Sequence, residues 1–175
     1  PYCIIQTRDG GYAIAGSTDL GGGNREDAYL VKTDAWGNVE WSRVLWADAA
    51  NEVFYSLIQT SDGGYALAGE TYHEPGHLAL ILKTDEWGTV QHNKLVIWGM
   101  VNSEARSLVQ NASDGSYWLL CNNDGGGGND MVRLVKFDSD LNEIDTCFFD
   151  LFDYDTYGYS LIQASDGNLA MAGFY

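Results

Sequence analysis

One short segment recurs four times along the chain and constrains the fold more than any other feature. It reads SLIQTSDGGYALAG at residues 56–69, and its relatives begin at residues 3, 107 and 160. A second segment, YLVKTD at residues 29–34, recurs in altered form at 80–85 and 134–138. A tandem repeat of this kind predicts stacked copies of one supersecondary unit. The aspartates that mark equivalent positions are 53, 52 and 52 residues apart, and they are Asp9, Asp62, Asp114 and Asp166.

Each repeat unit predicts four short antiparallel strands. Apolar and β-branched residues fall into four runs, and no helical period of comparable length is present in the sequence. Two glycine-containing segments, DGG at 62–64 and DEWG at 85–88, supply turns because glycine adopts the positive φ that tight turns need. The third copy of the first segment carries a one-residue insertion. In the second unit the predicted strands are Tyr55–Thr60, Tyr65–Gly69, Leu78–Thr84 and Val90 to about Trp98.

Four antiparallel strands in about 52 residues are typical of a β-propeller blade. We therefore predict an all-β chain that forms a single domain over residues 1–175, a β-propeller fragment of about 3.5 blades. The predicted blades occupy residues 2–54, 55–105 and 106–158, and a partial blade occupies 159–175. A β-solenoid is the alternative, although its coils are normally shorter.

Self-association is expected from this blade count. An open propeller exposes a blade face and unpaired strand edges. The simplest solution is a homodimer that closes the propeller. Each copy would nevertheless contribute a surplus hairpin at 159–175, so a simple exchange of strands does not complete the odd blade.

The unit DGGYALAG…YLVKTD…WGNVEW resembles the tandem propeller repeats of large, mostly uncharacterised microbial proteins that are secreted or displayed on the cell surface. The resemblance covers essentially the whole chain. It implies a propeller fold and an extracellular or cell-surface location, and it implies no reaction. Because the chain begins and ends abruptly in strand-like sequence, we expect a fragment or a processed chain, with any signal segment outside it.

The composition argues against several classes of partner. The net charge is −16 and the sequence pI is near 4.2, so the surface repels nucleic acid and anionic membranes. No apolar run is long enough to span a bilayer, and membrane insertion is not expected. Three cysteines without metal-site spacing predict buried free thiols. They are Cys3, Cys121 and Cys147.

Recurrence within the chain separates structural positions from candidate site positions. A residue present in every unit is predicted to serve the blade, whereas a residue present in one unit is available for a site. The four repeated aspartates are therefore predicted turn residues. Trp36 and Trp87 occupy the same turn in two units and are expected to cover a blade edge. Three lysines are predicted to form charge pairs with the aspartate two residues later, and they are Lys32, Lys83 and Lys136.

Residues 73–77 read HEPGH, which matches the H-E-x-x-H pattern of zinc proteases. That chemistry needs both histidines on one face of a helix, and Pro75 followed by Gly76 would break such a helix. We therefore expect an exposed loop at this place. A weak transition-metal site formed by His73 and His77 is the alternative.

The variable connections are predicted to lie together on one face. They are the segments 17–27, 46–53, 70–77, 98–105, 122–130 and 150–158, which contain thirteen acidic residues and one base, Arg25. Solubility explains such a charge. The functional alternative is a surface for a cation or a basic partner. No cofactor is predicted, although three aspartates close in sequence make calcium a candidate ligand of this face. These aspartates are Asp150, Asp153 and Asp155.

We predict a non-catalytic extracellular recognition or scaffolding module that binds a glycan or a basic protein through this acidic face. One alternative is a polysaccharide-active enzyme that uses loop carboxylates. Another is a structural segment of a larger repeat protein. No catalytic residue stands out. The predicted ligand-binding residues are Trp46, Asp48, Glu52, Trp98, Glu104, Asp150, Asp153, Tyr154 and Asp155.

Overall fold

The computed structural model describes residues 1–18, 27–46, 51–74, 76–96, 102–124, 130–149 and 155–175. Within these ranges the chain forms β-strands and turns, and no helix that could cross a membrane occurs in them. The strands are β1 Cys3–Gln6, β2 Tyr12–Thr18, β3 Asp27–Thr33, β4 Val39–Trp46, β5 Glu52–Gln59, β6 Tyr65–His73, β7 Gly76–Thr84, β8 Val90–Val96, β9 Ser103–Gln110, β10 Tyr117–Asn123, β11 Met131–Phe137, β12 Glu143–Phe149, β13 Tyr157–Gln163 and β14 Leu169–Phe174.

The strands form three four-stranded antiparallel sheets and one hairpin. Sheet I contains β1 to β4, sheet II contains β5 to β8, and sheet III contains β9 to β12, each with its strands in chain order. The hairpin β13–β14 forms sheet IV. The predicted all-β class and the four antiparallel strands per repeat are therefore confirmed.

Successive sheets pack face to face through one repeated contact. Alanines of one sheet, such as Ala66 and Ala68, are fully buried against leucines of the next sheet, such as Leu108 and Leu119. The small alanine side chains let the sheets approach closely, and the leucines fill the space between them. The first strand of each sheet lies beside the first strand of the next, and the fourth strand of sheet I also reaches sheet II, where the ring of Trp41 packs edge-on against Tyr65.

The strands around the HEPGH segment are longer than predicted. Strand β6 continues to His73 and β7 begins at Gly76, and these two residues pair in the ladder. The expected loop over residues 70–77 is therefore wrong for most of its length. Thr71 is fully buried in β6, and the ring of Tyr72 packs edge-on against His77 across the hairpin. These contacts extend the alternating pattern of the strands beyond the repeated segment.

The insertion in the third copy lies in the turn between its first two strands. In the second unit the turn closes with a hydrogen bond from Thr60 N to Gly64 O. In the third unit the equivalent bond runs from Asn111 N to Ser116 O and encloses one more residue. The extra residue changes the turn and leaves the flanking strands in register.

The predicted charge pairs involve different aspartates. Lys83 Nζ lies 2.8 Å from Asp62 Oδ2, in the turn between β5 and β6, and not beside Asp85. Asp85 instead accepts hydrogen bonds from the backbone N–H groups of Trp87 and Thr89 and so closes its own turn. The prediction was wrong because the ladder pairs Lys83 with Ala66, which places the lysine beside the preceding turn. The equivalent pairs in the other sheets are Lys32 with Asp9 at 2.7 Å and Lys136 with Asp114 at 3.4 Å.

The predictions for two tryptophans and two of the cysteines are wrong. Trp36 and Trp87 are largely exposed, so they do not cover a blade edge. Their backbone N–H groups are held by the turn aspartates, and the side chains project from the turn. Of the three free cysteines only Cys121 is buried, and burial raises the pKa of its thiol well above the usual range.

Candidate functional site

The two ends of the stacked sheets differ in chemistry. The turn rim carries the turns that join the first strand to the second and the third to the fourth in sheets I to III, and it includes Asp9, Asp62 and Asp114. The loop rim is the opposite end, where the second and third strands of each sheet are connected and where each sheet is joined to the next. In the described residues the loop rim includes 70–74, 76–77, 102–104, 122–124, 130 and 155–158.

A cleft of about 420 Å³ opens on the loop rim between sheets II and III. Its walls come from both sheets and from the start of sheet IV. Polar and aromatic side chains dominate the lining. The lining residues are Tyr55, Glu70, His77, Asn102, Ser103, Glu104, Arg106, Asn122, Asn123, Asp124, Asp130 and Tyr157.

Among the described residues, Arg106 is the one arginine in the lining of the cleft. Its guanidinium carbon lies 4.3 Å from the centroid of the Tyr55 ring, which is a cation–π contact. Its Nη2 donates a hydrogen bond to Glu104 Oε2 at 2.5 Å. Burial would lower the pKa of Arg106, but the hydrogen bond to Glu104 outweighs it and raises the pKa. The guanidinium is therefore permanently charged and fixed in position.

Tyr55 links Arg106 to a second carboxylate. Its hydroxyl donates to Glu70 Oε1 at 2.7 Å. Burial and this hydrogen bond raise the pKa of Tyr55 well above the usual range, so the phenol stays protonated. Glu70 also lies 3.4 Å from Nδ1 of His77. Both glutamates of the cleft are thus engaged by neighbouring side chains.

Asn122 joins sheet III to sheet IV in the lining of the cleft. Its Nδ2 donates to Glu104 Oε1 at 3.2 Å and to the carbonyl of Gly158 at 3.1 Å, and its Oδ1 accepts the Gly158 N–H at 2.8 Å. The amide is therefore fully used by the protein. It fixes Glu104, and through Glu104 it fixes Arg106.

Asn123 differs from its neighbour. It is 2% exposed and lines the cleft, and neither its Oδ1 nor its Nδ2 has a hydrogen-bond partner among the residues that the structure describes. The buried Nε of Arg106 also has no hydrogen-bond partner among the described residues. A buried polar group without a partner costs about 1–3 kcal/mol. The cleft therefore contains donors and an acceptor that a bound polar molecule would satisfy.

The edge of the cleft is held by polar contacts between segments. Asn102 Nδ2 donates to Asp124 Oδ2 at 3.1 Å, and the Tyr157 hydroxyl donates to Asp130 Oδ2. The hydrogen bond to Asp130 raises the pKa of Tyr157 to about 12. These contacts tie strands of sheets III and IV together at the mouth of the cleft.

Eight of the nine predicted site residues fall into three groups. Glu104 lines the cleft, and Asp155 lies at its edge, where Oδ1 accepts the Asp130 N–H at 3.1 Å. Trp46 ends β4, and its side chain is not among the described groups. Five residues lie outside the described part of the chain, and they are Asp48, Trp98, Asp150, Asp153 and Tyr154.

The prediction for Glu52 is wrong. It was expected on the exposed acidic face, but it is the first residue of β5 and is fully buried. The hydroxyl of Thr71 on the neighbouring strand donates to its Oε1 at 3.4 Å. Strand β5 begins earlier than expected, so a residue counted as part of a loop is enclosed between sheets.

No metal site is evident in the part of the chain that the structure describes: no group of three histidine, cysteine or acidic side chains is arranged to hold an ion there. His77 lines the cleft beside Glu70, whereas the side chain of His73 is outside the described groups. The weak metal site of these two histidines stays a prediction, as does calcium at Asp150, Asp153 and Asp155.

The sequence contains a signal for Arg106 that lies just outside the predicted variable loops. The residue before the repeated SLIQ segment is tyrosine in three copies, at Tyr2, Tyr55 and Tyr159, and arginine only at Arg106. A unique residue at a repeated position is what the recurrence criterion selects. Asn123 gave no comparable signal because it lies in the extension of β10 beyond the repeated segment.

Comparison with known proteins adds a likeness of shape only. No family model matches the sequence, and no curated protein matches it. Among solved structures the chain is similar to one described as the crystal structure of the eukaryotic initiation factor, with a TM-score of 0.45 and 11% sequence identity. The alignment covers 97% of this chain and 48% of that one, so this chain spans about half the length of that protein chain.

Proposed function

We propose that the chain is a segment of a β-propeller and acts as a non-catalytic recognition module, with the cleft between sheets II and III as its binding site. The contacts between the first strands of successive sheets support the propeller arrangement, because blades that fan around an axis meet at their inner strands. On the repeated DGGYALAG and KTD segments we further propose that the module belongs with the tandem repeats of microbial secreted or cell-surface proteins.

The single observation that carries this proposal is the buried amide of Asn123. A primary amide both donates and accepts hydrogen bonds, and a hydroxyl group does the same. Each carboxylate at the cleft already has a partner: Glu70 binds Tyr55, Glu104 binds Arg106, and Asp124 and Asp130 have polar partners of their own. The groups left for a ligand match a neutral, polyhydroxylated molecule better than a cation. A glycan is therefore the proposed ligand.

Tyr55 and Tyr157 add apolar surface to this polar lining. Aromatic rings at a sugar site contact the C–H face of a pyranose while neighbouring amides bind its hydroxyls. Tyr55 is held by Glu70 and Arg106, and Tyr157 by Asp130. Both rings are thus fixed before a ligand arrives, which reduces the entropy cost of binding.

A polysaccharide-active enzyme is the second candidate, because Glu70 and Glu104 line the same cleft. Glycoside hydrolysis uses two carboxyl groups, one of them as a proton donor. Both carboxylate oxygens of Glu104 already accept hydrogen bonds, from Arg106 and from Asn122, so this carboxyl group is not free to act on a substrate. Release of reducing ends from an oligosaccharide, lost in Glu70→Gln, would favour the enzyme over the binding module.

An array of neutral oligosaccharides built from glucose, mannose, xylose and N-acetylglucosamine tests the proposal, with a polylysine spot as the basic-partner comparison. We expect binding to at least one glycan, weakened at least tenfold in Asn123→Ala, since a buried polar contact contributes about 1.4 kcal/mol or more. Asn93→Ala, at an exposed position in β8, is the matched control and should bind as the wild type does.

Three outcomes of the array would contradict the proposal. One is the absence of binding to every glycan, and another is binding that Asn123→Ala leaves unchanged. The third is binding to polylysine alone, which would instead favour a basic partner on the acidic face.

A further inference from the structure

The two end faces of the stack carry apolar residues at positions that are buried in the equivalent internal faces. Ile4 in β1 is 62% exposed, whereas the residues at its repeated position are 2–3% exposed. In sheets II, III and IV these residues pack on the preceding sheet. They are Leu57, Leu108 and Leu161. Sheet I therefore presents a face that in every other sheet is covered.

The other apolar residues on this face of sheet I are also more exposed than their counterparts in sheet II. Ile14, Tyr29 and Val31 are partly exposed beside an apolar groove of about 240 Å³. Their counterparts in sheet II are fully buried against sheet I, and they are Leu67, Leu80 and Leu82. The head face, defined by Ile4, Ile14, Tyr29 and Val31, thus has the composition of an internal contact.

Sheet IV presents the complementary tail face. Ile162 is 57% exposed, although its counterpart Ile58 packs in the cluster between sheets II and III. Ala170 and Ala172 are also exposed. The alanines at their positions in sheets I and II are fully buried under the following sheet, and they are Ala13, Ala15, Ala66 and Ala68. The tail face, defined by Ser160, Ile162, Ala170 and Ala172, is the surface on which a head face packs elsewhere in the chain.

A repeated hydrogen bond fixes the alignment of head and tail. In sheets II and III the serine that begins the SLIQ-type segment accepts a backbone N–H from the following sheet. Ser160 begins the last of these segments, and no following sheet is present in the described chain. The equivalent N–H on a head face belongs to Ile4. The existing bonds are Leu108 N to Ser56 Oγ at 3.2 Å and Leu161 N to Ser107 Oγ at 3.1 Å.

We propose that a second copy of this chain packs its head face on the tail face of the first, reproducing the internal contact between successive sheets. The occupant is a second copy because both complementary faces belong to one chain and match residue by residue. Within the chain, β9 packs across β5, β6 and β7. Sheet IV contains the counterparts of two of these three strands, because β13 corresponds to β5 and β14 corresponds to β6. A head-to-tail contact of this kind produces a ring if the rotation closes, and a longer assembly otherwise.

Sedimentation velocity across a concentration series tests this proposal, which is independent of the cleft. The wild type should associate, and association should strengthen with salt because each copy carries −16 charges. Ile4→Asp places a charge on the head face, and Ile162→Asp places one on the tail face. Because assembly needs both faces, each variant alone should stay monomeric. An equimolar mixture should form a dimer and nothing larger, since one intact head and one intact tail remain.

Two control variants distinguish a head-to-tail contact from a symmetric one and from loss of folding. Ile144→Asp, at an exposed position in β12 of sheet III, which is neither end sheet, should assemble as the wild type does. Ala172→Arg blocks the tail independently of Ile162, and circular dichroism verifies the fold of each variant. Association of Ile162→Asp with itself would mean a symmetric contact and would overturn the proposal. A wild type that stays monomeric at every concentration would do the same, as expected if a further repeat or another protein covers these faces.

Discussion

The turn rim and the loop rim belong to the same sheets but use their polar side chains differently. At the turn rim a lysine pairs with an aspartate of its own sheet, and the same pair recurs in three sheets, as with Asp62 and Lys83. At the loop rim the polar contacts occur once, as with the contact between Asn122 and Gly158 of the next sheet, and Asn123 has no partner in the described chain. Recurring pairs stabilise the repeat, whereas unique groups are available for binding.

The largest expected effect is at the turn rim, in Gly64→Ala. A Cβ at this position would overlap the backbone carbonyl of Thr84, which cannot move without breaking the ladder. We expect a loss of about 3 kcal/mol or more in the free energy of unfolding, measured by urea denaturation. Gly63→Ala is the control, since its Cβ meets no atom but its φ of +94° disfavours alanine. It should lose only about 1–2 kcal/mol. Equal losses would show that backbone conformation, and not space, limits this turn.

Lys83→Met should have the next largest effect. Methionine preserves the packing of the buried stem but removes the charge that lies 2.8 Å from Asp62. We expect a loss of about 2 kcal/mol in unfolding free energy, between the values for exposed and buried ion pairs. Lys94→Met, at an exposed position in β8, should change it by less than about 0.5 kcal/mol. A loss below that limit in Lys83→Met would mean that the repeated pair does not stabilise the sheet.

At the loop rim one substitution should increase the unfolding free energy, whereas the substitutions at the turn rim decrease it. Asn123→Ala removes a buried amide that has no hydrogen-bond partner in the described chain, so the unfolding free energy should increase by about 1.5 kcal/mol. The same variant should lose glycan binding. Asn122→Ala should instead destabilise, because its amide bonds Glu104 and Gly158. Destabilisation by both changes would place Asn123 among the structural groups and remove the difference between the rims.

The smallest effect concerns pH. Burial would raise the pKa of Asp62, but hydrogen bonds from Lys83, Thr60 and the Gly64 N–H outweigh it and lower the pKa to about 2, from an ordinary value of 3.8. A carboxyl group whose pKa falls on folding stabilises the protein above its unfolded pKa and loses that contribution as pH drops through the folded pKa. Half of the Asp62 side chain is exposed, and solvent screening reduces the effect to about 1 kcal/mol.

The pH prediction is tested with Asp62→Asn. The difference in unfolding free energy between wild type and variant should be about 1 kcal/mol at pH 5 and should disappear between pH 4 and 2. A difference that is the same at both ends of this range would exclude the ionised carboxylate as its source.

The parts of the structure that repeat were predictable from the sequence, and the parts that depend on register were not. Four copies of the SLIQ and DGG segments indicate the same strands and turns each time, so errors in one copy are corrected by the others. The partner of Lys83 depends on which residue faces it across the ladder, and strand sequence alone does not determine that register. Glu52 was misplaced for a related reason, since the strand begins three residues earlier than predicted and the side chain of Glu52 is buried instead of exposed.

The sequence predicted the face on which the cleft lies but not most of the residues that form it. The loop face was expected to bind, and Glu104 and Asp155 do lie at the cleft, but the count of acidic residues did not indicate which carboxylates are already paired. Asn123 is buried at the end of β10, where it pairs with Ser103 of β9 and Met131 of β11, and these residues are separated from it in sequence. Such groups become visible only when neighbouring strands are placed against each other.

Amide chemical shifts in the presence of cello-, manno- and xylo-oligosaccharides test the functional difference between the rims most directly. We predict that an oligosaccharide shifts the signals of residues 102–106 and 122–124 and leaves those of 62–64 unchanged. We also expect Asn123→Ala to abolish the shifts. Shifts confined to 62–64, or spectra that no oligosaccharide changes, would contradict the assignment of binding to the loop rim.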